Sequence, residues 1–412
     1  MVVPTKELTS LSPSGTTPTG LEARQGTSLA LPSAGEPLNP TPLRLSSVGF
    51  GEGKSNPGFR PGGPNRLRVP VVDARGMPLM PCTPARARLL LKKGKAVARW
   101  CKLGIFYLHL KYAVEPKNQM LAVGVDPGSK YEAVSVVGSK DTVLNMMLEA
   151  VDWVKKALEQ RRQMRRLRRY RKTRRRACRG DNRHPEGRIP PSTKARWDAK
   201  LRVITQLKRM LPISCVVVED IKAATKKGYG RWNSNFSPIE TGKQYFYSSL
   251  RAVGLDVEVR SGNETKAFRD SLGLKKIRSK SKTVFESHCV DSWCLAAMAT
   301  GAKYPTTRSL YYVVPLRWHR RQLHRLEPEK GGVRRRYGGT ISLGLKKGTL
   351  VRHIKYGLCY IGGNLKNRFS LHSLKTGKRI TQNAKREDFR TLTRIAFRTQ
   401  FLSTTKVGSL LG

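Results

Sequence analysis

Acidic residues are scarce in this chain. Its 412 residues hold 28 Asp and Glu against 80 Lys and Arg, a formal net charge of +52. A compact monomer with that surplus repels itself, and a polyanion relieves the repulsion. Nucleic acid is therefore the expected partner, held largely through phosphates and strongly salt-dependent. A basic ribosomal or chromatin-type protein is the plainer version of the same expectation. Cysteine is sparse as well. The seven residues at 82, 101, 178, 215, 289, 294 and 359 form no Cys-x-x-Cys pair. A structural zinc site is not expected, nor a disulfide framework, and a reducing compartment fits. No apolar run reaches the length of a membrane span, and the N-terminus lacks the basic start and apolar core of a signal peptide. The expectation is a cytoplasmic chain without a membrane partner.

Hydrophobic residues make up 38% of the chain, enough for two or three domains with a core. Residues 1–65 stand apart, with 10 of the 24 prolines, 10 glycines and many Ser and Thr. Such a stretch buries too little apolar surface to offset its ordering entropy and reads as a disordered extension. Residues 66–115 read as a small α+β module. Arg68–Asp73 is strand-like, Thr83-Pro84 is an N-cap followed by a first-turn proline, and a helix over Ala85–Lys93 ends at Gly94. Strands follow at Ala96–Trp100 and Ile105–Lys111.

In residues 116–152, Leu121, Val123 and Val125 alternate into a strand. Asp126-Pro127-Gly128-Ser129 turns, Ala133–Val137 returns, and Thr142–Leu148 is a third strand. Residues 153–180 are helical and intensely basic, with 14 Lys or Arg and one Glu between 155 and 179. A helix charged on every side repels itself unless phosphates surround it. Residues 181–302 contain a helix at Thr193–Leu211, a buried strand at Cys215–Val218, another at Leu255–Val259, and a helix at Thr283–Thr300 with an apolar face. Residues 303–412 read as a separate, mostly β, basic domain.

The few acidic residues at strand ends carry the chemistry. Asp126 ends the first strand, Glu219 ends Val216-Val217-Val218, and Asp291 lies three residues after His288 on what reads as one helix face. Each is unremarkable alone: a turn residue, a strand-end cap, a core histidine. Together they are the set a two-metal phosphodiesterase needs. Two Mg²⁺ ions about 3.5–4 Å apart stabilise the attacking and leaving oxygens of an in-line displacement, and hard cations want carboxylate oxygen. Asp126 would bridge both metals, Glu219 and Asp291 would each hold one, and His288 would orient or deprotonate water.

At this point the chain resembles a known family. Val123-Gly124-Val125-Asp126-Pro127-Gly128, Val216-Val217-Val218-Glu219-Asp220 and His288-Cys289-Val290-Asp291-Ser292 resemble the three RuvC motifs of the transposon-encoded IscB and IsrB proteins. The Arg-rich run at 161–176 resembles their bridge helix, and Pro78-Leu79-Met80-Pro81 their N-terminal PLMP module. Arg320-Arg321-Gln322-Leu323-His324-Arg325 through Gly338-Gly339-Thr340 resembles their C-terminal region. The likeness covers about residues 66–400. It implies an α/β, RNase H-like (RuvC) nuclease core with a bridge helix, a PLMP module and a basic, mostly β C-terminal domain that interacts with a target-adjacent motif. It also implies a monomeric ribonucleoprotein in the bacterial cytoplasm or nucleoid. A guide RNA, called ωRNA, would pair with one strand of a double-stranded DNA target, while the protein reads backbone shape and a short flanking motif. IscB carries an HNH nuclease between the second and third motifs. Here that interval is 68 residues and contains no histidine, since the seven lie at 109, 184, 288, 319, 324, 353 and 372. The resemblance is thus to the HNH-lacking IsrB branch, which implies nicking of the non-target strand with two Mg²⁺ ions, or Mn²⁺ in their place, and no zinc.

For the basic segments the resemblance implies RNA contacts from Arg86, Arg88 and Lys92, and from Arg162, Arg165, Arg166, Arg169 and Tyr170, the last able to stack on a base. DNA contacts are expected from Lys275, Lys276 and Lys280 ahead of the catalytic helix, and from Arg320, Arg321, Arg334 and Arg335 in the C-terminal region. Two other readings stay open: a guide-independent RuvC-type resolvase or transposase, and a catalytically silent RNA-binding protein.

Overall fold

The structure is a computed structural model and describes residues 68–170, 189–220, 238–317 and 340–403. The expected N-terminal extension, the end of the basic helix, residues 221–237, and Arg320, Arg321, Arg334 and Arg335 lie outside the described residues.

The first element group is a four-stranded sheet with one helix. Strands β1 (Val69–Val72), β2 (Pro78–Cys82), β3 (Ala96–Trp100) and β4 (Phe106–Leu110) lie in the order β2-β1-β4-β3, with α1 (Pro84–Lys92) between β2 and β3. Thr83 caps α1 by accepting from the Arg86 amide at 3.3 Å, and Pro84 occupies the first turn. Gly94, at φ +66°, follows the helix in the left-handed region. Leu108 and Leu110 alternate inward to meet Ala87 and Leu90.

The next strands, β5 (Leu121–Asp126), β6 (Tyr131–Gly138) and β7 (Thr142–Glu149), form an antiparallel meander. Then come α2 (Trp153–Tyr170), α3 (Pro191–Lys208), β8 (Cys215–Glu219), α4 (Pro238–Ala252), β9 (Asp256–Arg260), α5 (Gly262–Ser271), α6 (Phe285–His288), α7 (Val290–Thr300) and β10 (Leu310–Pro315). Strand β8 adds parallel to β5 and β9 parallel to β8. The central five therefore run β7-β6-β5-β8-β9, with β6 the one reversed strand.

Both faces of this sheet are covered, and residue size decides what covers each. Leu121, Val123 and Val125 pack with Val216 and Val218 against Trp197, Ile204 and Leu207 of α3 and Phe246 of α4. The alternate positions are small: Ala122, Ala133 and Cys215 meet Trp293, Ala296 and Ala297 of α7. Gly124 lets α7 come closest. A Cβ there would lie 1.8 Å from the Ser292 carbonyl oxygen, the close approach that a glycine inside a strand marks. Ser135 and Ser292 hydroxyls hydrogen-bond at 2.8 Å across the same contact.

The remaining strands are β11 (Ile341–Ser342), β12 (Leu345–Lys346), β13 (Thr349–His353), β14 (Gly357–Leu365), β15 (Arg368–Ser373), β16 (Arg379–Ala384), β17 (Phe389–Arg394) and β18 (Phe397–Leu402). Strands β13 to β17 make a five-stranded antiparallel sheet around Val351, Ile361, Phe369 and Leu371. The expected separate domain over 303–412 needs correction here. Strand β10 pairs parallel with β7, and β18 pairs antiparallel with β10, so both ends of that segment extend the large sheet to seven strands. The expected continuous helix Thr283–Thr300 also breaks, at Cys289, into α6 and α7. Among the described residues no helix is long and apolar enough to cross a membrane.

Candidate active site

Period-two alternation puts the carboxylates where they are. Asp126 follows Ala122 and Gly124 on the α7 side of β5, and Glu219 follows Cys215 on the α7 side of β8. The register pairs Val125 with Val218, so the two carboxyls stand side by side at the carboxyl ends of adjacent parallel strands. That is the edge of an open α/β sheet where ligands bind. Helix α7 crosses at Gly124 and brings Asp291, in its first turn, to the same place.

The electrostatics follow from the crowding. Burial raises the Glu219 pKa to about 8, and the Asp126 and Asp291 charges add to it. Asp126 is raised too, first by burial and then by Asp291, against the lowering effects of Glu219, Lys276 and Lys280. The two carboxyls share a hydrogen bond. Asp291 is 2% exposed. Its Oδ1 accepts from Arg269 Nη1 of α5 at 2.8 Å, and its Oδ2 accepts from the Lys276 ammonium.

His288 stands differently. It is the last residue of α6, and Cys289 stands between it and α7, which carries Asp291 in its first turn. Its Nε2–H donates to the Lys282 carbonyl at 3.1 Å, and its ring meets the edge of Tyr131 at 5.0 Å. Burial, then the Lys280 charge, lowers its pKa below 6.5 and keeps the imidazole neutral.

Three carboxylates whose charges oppose one another at a strand end are a donor set for a hard divalent cation. Asp126 and Glu219 share a hydrogen bond, and two basic side chains bind Asp291. Among the described residues no group of three or more His, Cys, Asp or Glu stands arranged to hold a metal ion. Both oxygens of Asp291 are bound by cationic side chains.

Of the expected nucleic-acid contacts, Arg86, Arg88 and Lys92 are exposed on α1. Arg162, Arg165, Arg166, Arg169 and Tyr170 are exposed on α2, with Tyr170 85% exposed. Lys275 is exposed, and Lys280 donates to the Ser287 carbonyl at 2.5 Å. Lys276, also expected on DNA, binds Asp291 in this structure. Arg269 escaped the sequence reading, although Ser261-x-x-Glu264 ahead of it spells a capping box that announces α5.

Residues 69–231 match the family model described as RRXRR protein. The matched span runs from β1 past Glu219 and contains Arg165-Arg166-Leu167-Arg168-Arg169. No curated protein matches the chain. Two structures of Thermus thermophilus RuvC, one in complex with a Holliday junction substrate, are similar over 44% of this chain and 98% of theirs. Each likeness has 13% identity and a TM-score of 0.24.

Proposed function

We propose that this chain is an RNA-guided DNA endonuclease with one RuvC-type, RNase H-like site that nicks the non-target strand of a guide-matched duplex beside a short flanking motif. The observation that carries the nuclease part is the meeting of Asp126, Glu219 and Asp291 at one strand end, where the Asp291 charge raises the pKa of both Asp126 and Glu219. The strand order β7-β6-β5-β8-β9 with β6 reversed supports an RNase H-like core. The guide-RNA part rests on the sequence resemblance, on the RRXRR match, and on the exposed arginines of α2.

Asp126, Glu219 and Asp291 would hold two Mg²⁺ ions, which when bound supply Lewis-acid stabilisation of the attacking and leaving oxygens. Glu219, whose pKa is raised to about 8, would have to lose its proton to serve as a ligand. His288, neutral and fixed through Nε2, is in the protonation state needed to accept a proton from water. The exposed face of α2 would lie on RNA phosphates, with Tyr170 stacking. The C-terminal five-stranded sheet would reach the flanking motif.

The test is strand-resolved. The protein is purified with RNA from its neighbouring locus and given Mg²⁺ and a guide-matched duplex with a distinct label on each strand and randomised flanks. The expected result is a nick confined to the non-paired strand, lost without RNA and lost in Asp126→Ala while RNA binding persists. Cutting of branched DNA without RNA would instead indicate a resolvase. RNA binding with no cutting would indicate a silent binder.

A further inference from the structure

The two cations on Asp291 are not equivalent. Arg269 sits within α5, its side chain is 13% exposed, and its Nη2 also reaches Asp270 at 3.5 Å. Lys276 lies on the irregular segment between α5 and α6, and its side chain is 34% exposed. Its ammonium binds Asp291 Oδ2, one of the three carboxylates that the proposed metal ions would need. The surrounding segment is basic throughout, with Lys275, Lys276, Arg278, Lys280 and Lys282 inside eight residues. It is tied to α6 by the Ile277 amide on the Glu286 carbonyl at 3.0 Å.

We propose that Lys276 is a built-in competitor for a divalent metal: its ammonium holds Asp291 Oδ2 and would have to leave before a metal ion could be held there. This rests on the nuclease reading of the site. A lysine is suited to the exchange, because its flexible stem lets the ammonium move without moving the backbone, whereas Arg269 is the fixed partner that keeps Asp291 oriented. A phosphodiester backbone arriving at the basic segment offers Lys276 a second anion. Backbone and metal then each favour binding of the other, and that coupling is reciprocal.

The test is Mn²⁺ binding to the full chain, read from the signal of free Mn²⁺ in electron paramagnetic resonance, which needs no cleavage. Lys276→Gln is expected to tighten Mn²⁺ binding by about tenfold, within the usual range of coupling between sites. Lys276→Arg should stay close to the parent. Lys275→Gln, which removes the same charge one residue away, should change it by less than about twofold because exposed charges are screened. Adding a short oligothymidylate should tighten Mn²⁺ binding in the parent and much less in Lys276→Gln. Unchanged or weaker binding in Lys276→Gln, or equal tightening in Lys275→Gln, overturns the competition. If neither parent nor variant has a Mn²⁺ site that Asp126→Ala removes, the nuclease reading itself fails, and the competition with it.

Discussion

Replacing Gly124 by Ala tests how the site is assembled, because Gly124 is not part of its chemistry. An added Cβ would lie 1.8 Å from the Ser292 carbonyl oxygen and 2.8 Å from the Ala296 amide nitrogen. Ordinary contact begins at 3.4 Å, so α7 must withdraw by about 1.6 Å or β5 must yield. Neither gives easily, since β5 lies between β6 and β8 and α7 is fully packed. Overpacking of this kind costs about 1–3 kcal/mol, which in a chain of this size lowers the melting temperature by roughly 1–2 °C per kcal/mol. The larger effect falls on function. Asp291 rides on α7, and a displacement of about 1 Å in a catalytic constellation costs on the order of a hundredfold in rate. The assay is strand-resolved nicking at saturating RNA beside a melting curve, with Gly363→Ala as the comparison, where the nearest atom to a new Cβ is Lys347 Cε at 3.9 Å. A Gly124→Ala protein that nicks at the parental rate and melts at the parental temperature would refute the close approach of α7 and the delivery of Asp291 by it.

Two further predictions concern the buried charges. Glu219 has a folded pKa of about 8 against 4.5 for the free side chain, so between those values the folded chain binds a proton that the unfolded chain does not. Its contribution is therefore fully present below about pH 4.5 and is lost as pH rises toward 8. Metal-free melting temperatures should fall between about pH 5.5 and 8, less so in Glu219→Gln, and a matching slope in that variant would contradict the assignment. On the other face of the sheet, Lys200 Nζ and Glu132 Oε1 pair at 2.7 Å with side chains 4% and 3% exposed. Lys200→Met strands a buried carboxylate and should cost about 3–5 kcal/mol in urea unfolding, while adding Glu132→Leu should restore most of it. An additive double variant would show the pair is not coupled.

The strand-end carboxylates were legible because alternation and a long apolar run are local signals. Leu121, Val123 and Val125 announce a strand, and Asp126 ends it on the opposite face, in line with Ala122 and Gly124. The register that sets Val125 beside Val218 is non-local and no pattern spells it. The break at Cys289 was invisible for a related reason. The residues from 283 to 300 keep an apolar face throughout, and the Cys289 backbone leaves the helix with φ −103° and ψ −7° without a proline or glycine to mark it. Helix α4 went unread because Pro238-Ile239-Glu240-Thr241-Gly242 looks like loop, yet Gly242 is where Trp197 packs, its indole nitrogen 2.1 Å from where a Cβ would stand. The basic surfaces of α1 and α2 were plain in the sequence, and Lys276 was legible as a basic residue but not as the partner of Asp291.

The pairing of β10 with β18 has an engineering consequence. Pro315 faces Phe397 across that ladder, and the Leu316 amide donates to the Ala396 carbonyl at 2.9 Å. Everything from 316 to 396, the five-stranded sheet included, thus leaves and re-enters the large sheet at neighbouring points. The segment is laid out as a cassette. A short hairpin joining Pro315 to Phe397 would excise it with all seven strands of the large sheet retained, and a foreign module with closely spaced ends could be spliced in at the same seam.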